Sequence, residues 1–217
     1  MAYTGHVEAG GPPETRDLAA LSITKLSVGP YDNNAFLLRC RATGDQLLVD
    51  AAAEPDRLLA LAGDGGLSTV VTTHQHHDHW QALADVVKAT GARSLAHAAD
   101  APALPVVHAT VDDGETVTVG QCRLEAIHLV GHTPGSVALL YTEPEGGSHL
   151  FTGDSLFPGG VGNTGGDPAR FASLLGDVER KIFDRLPDDT WFYPGHGDDS
   201  TLGRERPALP EWRARGW

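Results

Sequence analysis

The sequence predicts an α/β protein built as a four-layer α/β/β/α sandwich. Strand-like segments fall into two groups along the chain, and each group is accompanied by helical segments that can cover it. Two sheets packed face to face, with helices on both outer faces, would bury the apolar sides of all these elements. With 217 residues, 41% of them hydrophobic, the chain is long enough to form such a core.

The first group of elements begins with three strands that we expect to form a meander. They cover residues 21–28, 34–40 and 46–52 and are separated by turn-forming residues. A short helix is expected over 55–62, because proline occupies its first position and glycine follows its last turn. The next strand, 67–73, has an unbroken apolar centre that indicates burial on both faces.

A second helix is expected over residues 81–90, and more strands follow it. Further strands are expected over 93–97, 115–119, 123–129, 137–142 and 149–152. The clearest helix runs from about 168 to 186, since Asp167 can cap it and its apolar residues share one face. A last strand over 190–194 precedes a polar C-terminal segment.

The N-terminus and the cysteines bear on domain organisation and compartment. Residues 1–17 are polar and rich in Gly and Pro, so we expect a flexible tail before one domain over 18–217. The tail lacks the apolar core of a signal peptide, and no run approaches the 18 apolar residues of a membrane span. Cys40 and Cys122 are far apart in sequence and show no metal-binding spacing, which favours a reducing compartment. We therefore expect a cytoplasmic protein.

The charge of the chain limits its partners. A formal net charge of −13 argues against nucleic acid and anionic membranes as partners, because such partners are usually met by a basic surface. A small-molecule substrate is the remaining expectation. Trp212 and Trp217 fit either a subunit interface or a cover for the core, so the oligomeric state stays open.

A dense group of potential metal ligands follows the strand that ends at Thr73. The segment THQHHDHW contains His74, His76, Asp78 and His79. In an extended backbone, residues two apart point the same way, so His74 and His76 can converge on one metal ion while His77 points elsewhere. Asp78 and His79 come where the chain turns and can face a second point. Four ligands so close together fit two metal ions better than one tetrahedral ion.

Three later segments share a layout in which a potential ligand follows a strand and lies beside glycine. They are LVGHTPGS with His132, LFTGDSLF with Asp154 and FYPGHG with His196. Tight loops of this kind can direct side chains from one edge of a sheet. Imidazole and carboxylate both bind zinc, and a bridging carboxylate can hold two ions about 3.5–4 Å apart. The remaining histidines are interpreted as ordinary core or surface residues: His6, His97, His108, His128 and His149.

The pattern HxHxDH at 74–79, followed by GHTPGS, TGDSLF and PGHG in that order, resembles the metallo-β-lactamase superfamily from about Asn33 to Pro207. The resemblance implies the metallo-β-lactamase sandwich and two metal ions, with zinc expected and iron or manganese as alternatives. It assigns one ion to His74, His76 and His132. It assigns the other to Asp78, His79 and His196, with Asp154 as the bridge. His77 should not bind metal.

Such a site predicts a hydrolase that uses a hydroxide bridging two metal ions. A metal can lower the pKa of bound water to about 7, and Asp78 can orient the nucleophile, which makes Asp78 the expected catalytic residue. The loop over 150–164 resembles the glyoxalase II type, which cleaves acyl-glutathione thioesters, and the chain resembles its short bacterial members. That family usually has a basic residue near Asn163, so the thiol carrier stays open. Asn163, Phe157 and Trp80 are candidate substrate contacts, with Phe36 a further aromatic candidate, although packing in the core explains the aromatic residues equally well.

Other reactions fit the same constellation in whole or in part. Relatives that oxidise persulfides use one iron held by residues matching His74, His132 and Asp154, a facial triad suited to oxygen chemistry. Lactone and β-lactam hydrolysis would share the dinuclear site. A scaffold stabilised by metal fits less well, because a structural zinc needs fewer ligands. We favour hydrolysis over persulfide oxidation, because all seven dinuclear positions are filled, and we favour a thioester as substrate, because the loop over 150–164 resembles the glyoxalase II type.

Overall fold

The structure, a computed structural model, describes residues 3–144 and 146–216, and two β-sheets form its centre. The first sheet contains β1 (Glu14–Asp17), β2 (Leu21–Val28), β3 (Asn33–Cys40), β4 (Gln46–Val49), β5 (Leu67–Val71), β6 (Arg93–Ala96) and β7 (Ala109–Thr110). These strands lie side by side in chain order. Strands β1 to β4 are antiparallel, as a meander requires, and β4 to β7 run parallel.

The second half of the chain supplies the other sheet and a small hairpin. Its strands are β8 (Thr116–Val119), β9 (Cys122–His128), β10 (Val137–Thr142), β11 (Ser148–Gly153), β12 (Leu156–Phe157), β13 (Gly160–Val161), β14 (Trp191–Pro194) and β15 (Ser200–Thr201). The sheet has the spatial order β15, β14, β11, β10, β9, β8, while β12 pairs only with β13. Strands β11 and β14 are parallel neighbours, although 37 positions separate Gly153 from Trp191 in the numbering.

Among the described residues, five α-helices cover the sheets. They are α1 (Pro55–Ala62), α2 (Leu83–Thr90), α3 (Pro168–Val178), α4 (Leu202–Glu205) and α5 (Leu209–Arg215). Asp167 caps α3 as expected, since its carboxylate accepts hydrogen bonds from the amides of Ala169 and Arg170. A π-helical turn over Glu179–Phe183 then continues this helix, so the single helix expected over 168–186 changes its hydrogen-bonding pattern partway.

Three hydrophobic clusters fill the three interfaces of the sandwich, which confirms the four-layer α/β/β/α prediction. Side chains alternate between the faces of a strand, and β3 shows the result: Phe36 and Leu38 join the cluster between the sheets, while Leu37 joins the one under α1 and α2. The third cluster lies between the second sheet and the helices α3 and α5. It includes Trp212, which is 1% exposed and therefore covers the core. Trp217 lies outside the described residues.

The described part of the N-terminal segment, from residue 3 on, contacts the rest of the chain. Strand β1 pairs with β2, and the hydroxyl of Tyr3 donates to Asp199 at 2.6 Å. Polar composition gave no sign of these contacts, which depend on the rest of the fold. The C-terminal segment likewise forms helices that the sequence patterns did not indicate. Within the described residues, no helix is long and apolar enough to cross a membrane.

Both sheets bring strand ends to one edge of the sandwich. The amide of Val137, which starts β10, donates to the carbonyl of Thr73, just beyond β5. Asn33, which starts β3, forms an isolated bridge with His196, just beyond β14. Each of these contacts joins a residue of the first half to a residue of the second. Loops from both halves therefore meet at this edge.

Candidate metal centre

The seven side chains that the sequence singles out come together at this edge. They are His74, His76, Asp78, His79, His132, Asp154 and His196. Their ligand atoms form two groups of three, each with all atoms within 4.8 Å of one another, and Asp154 lies between the groups. Each group draws residues from both halves of the chain.

The first group consists of His74, His76 and His132. His74 and His132 are buried, and burial, aided by neighbouring histidines, lowers the pKa of both imidazoles, which favours the neutral form that binds metal. The Nε2 atoms of His74 and His132 are buried without a hydrogen-bond partner. Buried polar atoms are almost always paired, so two unpaired imidazole nitrogens aimed at one point fit a metal ligand set.

The second group consists of Asp78, His79 and His196. The Nε2 atoms of the two histidines lie 3.1 Å apart, and Oδ2 of Asp78 lies 3.7 Å from that of His79 and 3.4 Å from that of His196. The Asp78 carboxylate is half-buried. Burial alone would raise its pKa, but the hydrogen bond from Asn33 and the neighbouring His79 hold it below its usual value. Asp78 is therefore an anion that faces two imidazoles.

The Asp154 carboxylate contacts both groups. Its Oδ2 lies 3.6 Å from Nε2 of His132 and 3.4 Å from that of His196, while Oδ1 lies 3.3 Å from Nε2 of His79. Burial opposes ionisation of Asp154, yet the adjacent imidazoles of His196 and His79 hold its pKa well below the usual range. Its position is that of a carboxylate able to bridge two ions.

Four of the imidazoles are oriented through Nδ1, the nitrogen that faces away from the centre. Nδ1 of His132 lies 2.8 Å from the carbonyl of Asn163, and Nδ1 of His196 lies 2.8 Å from that of Tyr31. A carbonyl can only accept a hydrogen bond, so the proton sits on Nδ1 and the Nε2 lone pair faces the centre. Nδ1 of His79 and Nδ1 of His74 likewise each face an oxygen that can accept a hydrogen bond.

Asp50 orients two of these imidazoles from beneath. One of its oxygens, Oδ2, lies 2.8 Å from Nδ1 of His79 and accepts the hydroxyl of Thr73 at 2.7 Å; that hydroxyl oxygen in turn lies 3.0 Å from Nδ1 of His74. Asp50 has φ 58°, a left-handed conformation that costs a non-glycine residue free energy. The sequence indicated only that Asp50 lies within the strand expected over 46–52. Its contacts with His74 and His79 depend on the tertiary fold.

Two further polar residues support the site without being evident from the sequence. Asn33 donates from Nδ2 to Oδ2 of Asp78 at 2.9 Å. Asp100 is fully buried and accepts hydrogen bonds from the amides of Gln75 and Gly135 and from the hydroxyl of Thr133. It thereby ties the loop of the first ligands to the loop of His132. A single sequence offers no signal for either residue, because both act across large separations along the chain.

Close packing at the centre requires glycine at position 195. A Cβ atom built on Gly195 would lie 2.1 Å from Oδ1 of Asp154 and 2.8 Å from Cε1 of His79. Any side chain would push the bridging carboxylate away from the second group. The glycine beside His196 in the PGHG segment is thus explained by space as well as by loop geometry.

The candidate substrate contacts lie in different settings. Phe157 is half-buried, and its ring centre is 6.3 Å from that of His196, so it adjoins the site. The side chain of Asn163 accepts the amide of Gly165, while its carbonyl holds His132. The Trp80 indole donates to the carbonyl of Gln75 and packs beside the exposed ring of His77.

The roles of Phe157, Asn163 and Trp80 in substrate binding stay predictions, as does the expectation that His77 binds no metal. Phe36 was the further aromatic candidate. It is 2% exposed and packs between Phe151 and Tyr193, so it belongs to the core and not to the substrate pocket.

The fold and the site together define a sandwich with a His/Asp metal centre at the edge where its two sheets meet. The family model of the Metallo-beta-lactamase superfamily matches residues 28–196, and the chain belongs to this superfamily. This confirms the resemblance seen in the sequence motifs.

Several known proteins resemble the chain beyond the family pattern. It is 38% identical to a hydroxyacylglutathione hydrolase of Polaromonas sp. (strain JS666) over 176 residues, which cover 76% of this chain and 62% of that protein. The chain therefore spans less than two thirds of that relative. Among solved structures, ETHE1 from Myxococcus xanthus superposes with a TM-score of 0.77 at 27% identity, covering 88% of this chain and 84% of that one. TTHA1623, solved in a di-iron-bound form, superposes with a TM-score of 0.69 at 32% identity, covering 84% and 96%.

Proposed function

We propose that the chain is a metal-dependent hydrolase that holds two metal ions and cleaves a thioester. The observation that carries the proposal is the position of Asp154, whose two oxygens face both groups of ligands. The unpaired buried Nε2 atoms of His74 and His132 support a metal at the first group, and the anionic Asp78 beside two imidazoles supports a metal at the second. Imidazole and carboxylate donors are the set that zinc accepts, and iron and manganese accept it as well.

The bound ions would supply a water molecule with a pKa near 7 and would polarise the substrate carbonyl. The protein's own residues hold and orient the ligands. Asp50 and the carbonyls of Asn163 and Tyr31 fix the imidazole tautomers, so the ring orientations are set before substrate arrives. Asn33 engages one oxygen of Asp78, which fixes the direction of the carboxylate that we propose as the catalytic residue.

The substrate would approach from the side of the site where Asp78 is exposed to solvent. A surface cavity of about 360 Å³ opens there, lined by Tyr31, His77, Asp78 and Gln81. Phe157 offers an apolar surface next to His196 for part of the substrate. A thioester fits this setting, because a thiolate with a pKa near 8.5 leaves without strong help from a general acid. The relative from Polaromonas is named for a hydrolase of this kind, which supports the choice of substrate class.

A second candidate reaction is oxidation of a persulfide at a single iron held by His74, His132 and Asp154. The buried atoms without a hydrogen-bond partner include Nε2 of both histidines and Oδ1 of Asp154, so they coincide with this triad. Oδ2 of Asp154 lies 4.0 Å and 3.6 Å from the two imidazole nitrogens. We rank this reaction second, because it leaves Asp78, His79 and His196 without a role.

Metal analysis combined with a substrate panel separates the two reactions. We expect about two metal ions per chain and release of free thiol from acyl thioesters, with kcat/KM above that for lactones and β-lactams. One tightly bound iron per chain, together with oxygen uptake on a persulfide, would establish the second candidate and refute the first. A higher kcat/KM for lactones or β-lactams would refute thioester specificity alone.

Two adjacent histidines provide a matched pair of variants. His76 and His77 are both exposed, but only His76 lies in a ligand group. We expect His76→Ala to lower metal content and to reduce kcat/KM by at least about 100-fold, as loss of a metal ligand does, while His77→Ala keeps its metal content. Equal loss of metal in the two variants would contradict the assignment of ligands.

A further inference from the structure

The two cysteines, far apart in the sequence, lie next to each other at the end of the sandwich opposite the metal centre. Cys40 ends β3 in the first sheet, and Cys122 begins β9 in the second. Both side chains are buried in the cluster between the sheets, and both are free thiols. At about 3.3 Å per residue, β3 separates Cys40 from Asn33 at the metal site by roughly 23 Å.

Three polar contacts bring the thiols together. Sγ of Cys40 lies 3.4 Å from the amide nitrogen of Gln121, the residue before Cys122. Sγ of Cys122 lies 3.4 Å from the carbonyl oxygen of Ala20, and the same oxygen accepts the amide of Arg41, the residue after Cys40. Each sulfur thus contacts a backbone group that adjoins, or is hydrogen-bonded next to, the other cysteine. In agreement with this proximity, Cys40 raises the pKa of Cys122.

The pKa values of the two thiols are shifted in opposite directions. Burial raises the pKa of Cys122 to about 11, with the neighbouring Cys40 adding to the effect. Burial also opposes ionisation of Cys40, but hydrogen bonds from the Thr43 hydroxyl and the Gln121 amide outweigh it and lower that pKa to about 6. The lowered pKa favours the thiolate of Cys40, the form that reacts with oxidants, beside a Cys122 thiol that keeps its proton.

A cavity of about 310 Å³ reaches the pair from the surface. Its wall includes both cysteines together with Ala20, Gln121 and Tyr141. The cavity is large enough for a small oxidant such as hydrogen peroxide, whereas the buried sulfurs are shielded from the thiol of a second protein chain. The setting favours a bond within the chain over a bond between chains.

We propose that Cys40 and Cys122 form an oxidisable dithiol that closes to a disulfide between the two sheets when the protein meets hydrogen peroxide. The Cys40 thiolate attacks one peroxide oxygen, the O–O bond breaks, and the departing hydroxide takes up a proton as water, which leaves a sulfenic acid on Cys40. The Cys122 sulfur then attacks the Cys40 sulfur, the S–O bond breaks, and the hydroxyl leaves with the Cys122 proton as water. In total, two thiols lose two electrons to one peroxide and yield one disulfide and two waters.

The test uses the full chain in its metal-loaded form, treated with a small excess of hydrogen peroxide. We expect the chain to lose the mass of two hydrogen atoms, to lose both titratable thiols under denaturing conditions, and to yield a peptide pair linked through Cys40 and Cys122. Dithiothreitol should reverse all three changes. Because the bond closes a long loop, the oxidised chain should also show a thermal midpoint about 5–10 °C higher.

Two variants test the order of reaction. With dimedone present, Cys122→Ser should accumulate a sulfenic acid adduct at Cys40, and Cys40→Ser should react at least about 10-fold more slowly at Cys122. Two free thiols after peroxide treatment of the wild-type chain, or a disulfide only between two chains, would overturn the proposal. Equal trapping in both variants would also overturn it, because the assigned roles of attacking and resolving sulfur would be wrong. The wild-type measurement decides the matter even if a serine variant fails to fold.

Discussion

Lys25 is a buried cation whose removal should destabilise the fold and loosen the loop of His196. Its ammonium group donates to Oδ1 of Asp199 at 2.7 Å and to the carbonyls of Gly5 and Gly197 at 2.8 Å and 2.7 Å. The side chains of Lys25 and Asp199 are both 0% exposed. Gly197 follows His196 directly, so the cation joins the N-terminal segment, β2 and the last metal-ligand loop.

Lys25→Met is expected to lose stability because the Asp199 carboxylate stays buried without its cation. Breaking a buried ion pair by removing one partner costs about 3–5 kcal/mol, because a buried charge loses its compensation. The carboxylate of Asp199 keeps two donors, the Tyr3 hydroxyl and the Trp191 indole, and burial already raises its pKa, so it can take up a proton. We therefore expect a loss near the lower limit, about 3 kcal/mol, at pH 6 and a larger loss at pH 8, where protonation is harder.

The assay is equilibrium unfolding in urea at both pH values, with the m-value confirming that the same surface is exposed. Lys25→Met combined with Asp199→Asn is the matched control, because the amide removes the charge, still accepts from Tyr3 and Trp191, and can donate to one of the freed carbonyls. The double variant should recover more than half of the lost free energy of unfolding. It should also recover the metal content that we expect the single variant to lose through the loosened loop of His196. The reasoning would be refuted if the free energy of unfolding of Lys25→Met lay within about 1 kcal/mol of the wild-type value, or if the double variant showed no recovery.

Three further perturbations follow from contacts at or near the site. Asp50→Asn should leave the fold intact but lower metal affinity by about 10- to 100-fold, since it weakens the orientation of His79; competition with a chelator measures this, and unchanged affinity would contradict it. Gly195→Ala should lower metal affinity at least as much by crowding Asp154, whereas retention of two ions with full affinity would show that the loop adapts. Burial lowers the pKa of His149 to about 4, so the unfolded chain binds its proton first and stability is lost as pH falls from 6.5 towards 4. When the pH is lowered from 7 to 5, the free energy of unfolding in urea should therefore fall by about 1–2 kcal/mol less in His149→Gln than in the wild type. An equal fall in both would show that His149 does not cause this pH dependence.

The parts of the fold that the sequence predicted are those that local patterns determine. Apolar runs and turn residues located β2, β10 and α1 with the bounds that the structure shows, because burial on one or both faces leaves a periodic signature. The grouping of the candidate ligands was predictable for a similar reason. Residues two apart on an extended segment face the same way, so His74 and His76 were expected to lie together, and they do.

The parts that were missed depend on contacts between distant residues. Strand β1 is short, polar and half-exposed, so only its pairing with β2 makes it a strand. Asp50 and Asp100 look like ordinary acids in the sequence and gain their roles from partners 23 to 35 positions away. Lys25 could be read as a surface residue until the N-terminal segment and the His196 loop close over it.

The proposed ligands are divided between the two halves of the chain, so metal binding would be coupled to assembly of the sandwich. The first group takes two histidines from the first half and His132 from the second, while the other group takes Asp78 and His79 from the first and His196 from the second. An ion held in either group would add a further link between halves that are already joined by side-chain packing and by hydrogen bonds such as that from Val137 to Thr73. Removing the ions would then weaken the contact between the two halves. Thermal stability, like catalysis, would therefore depend on the metal supply.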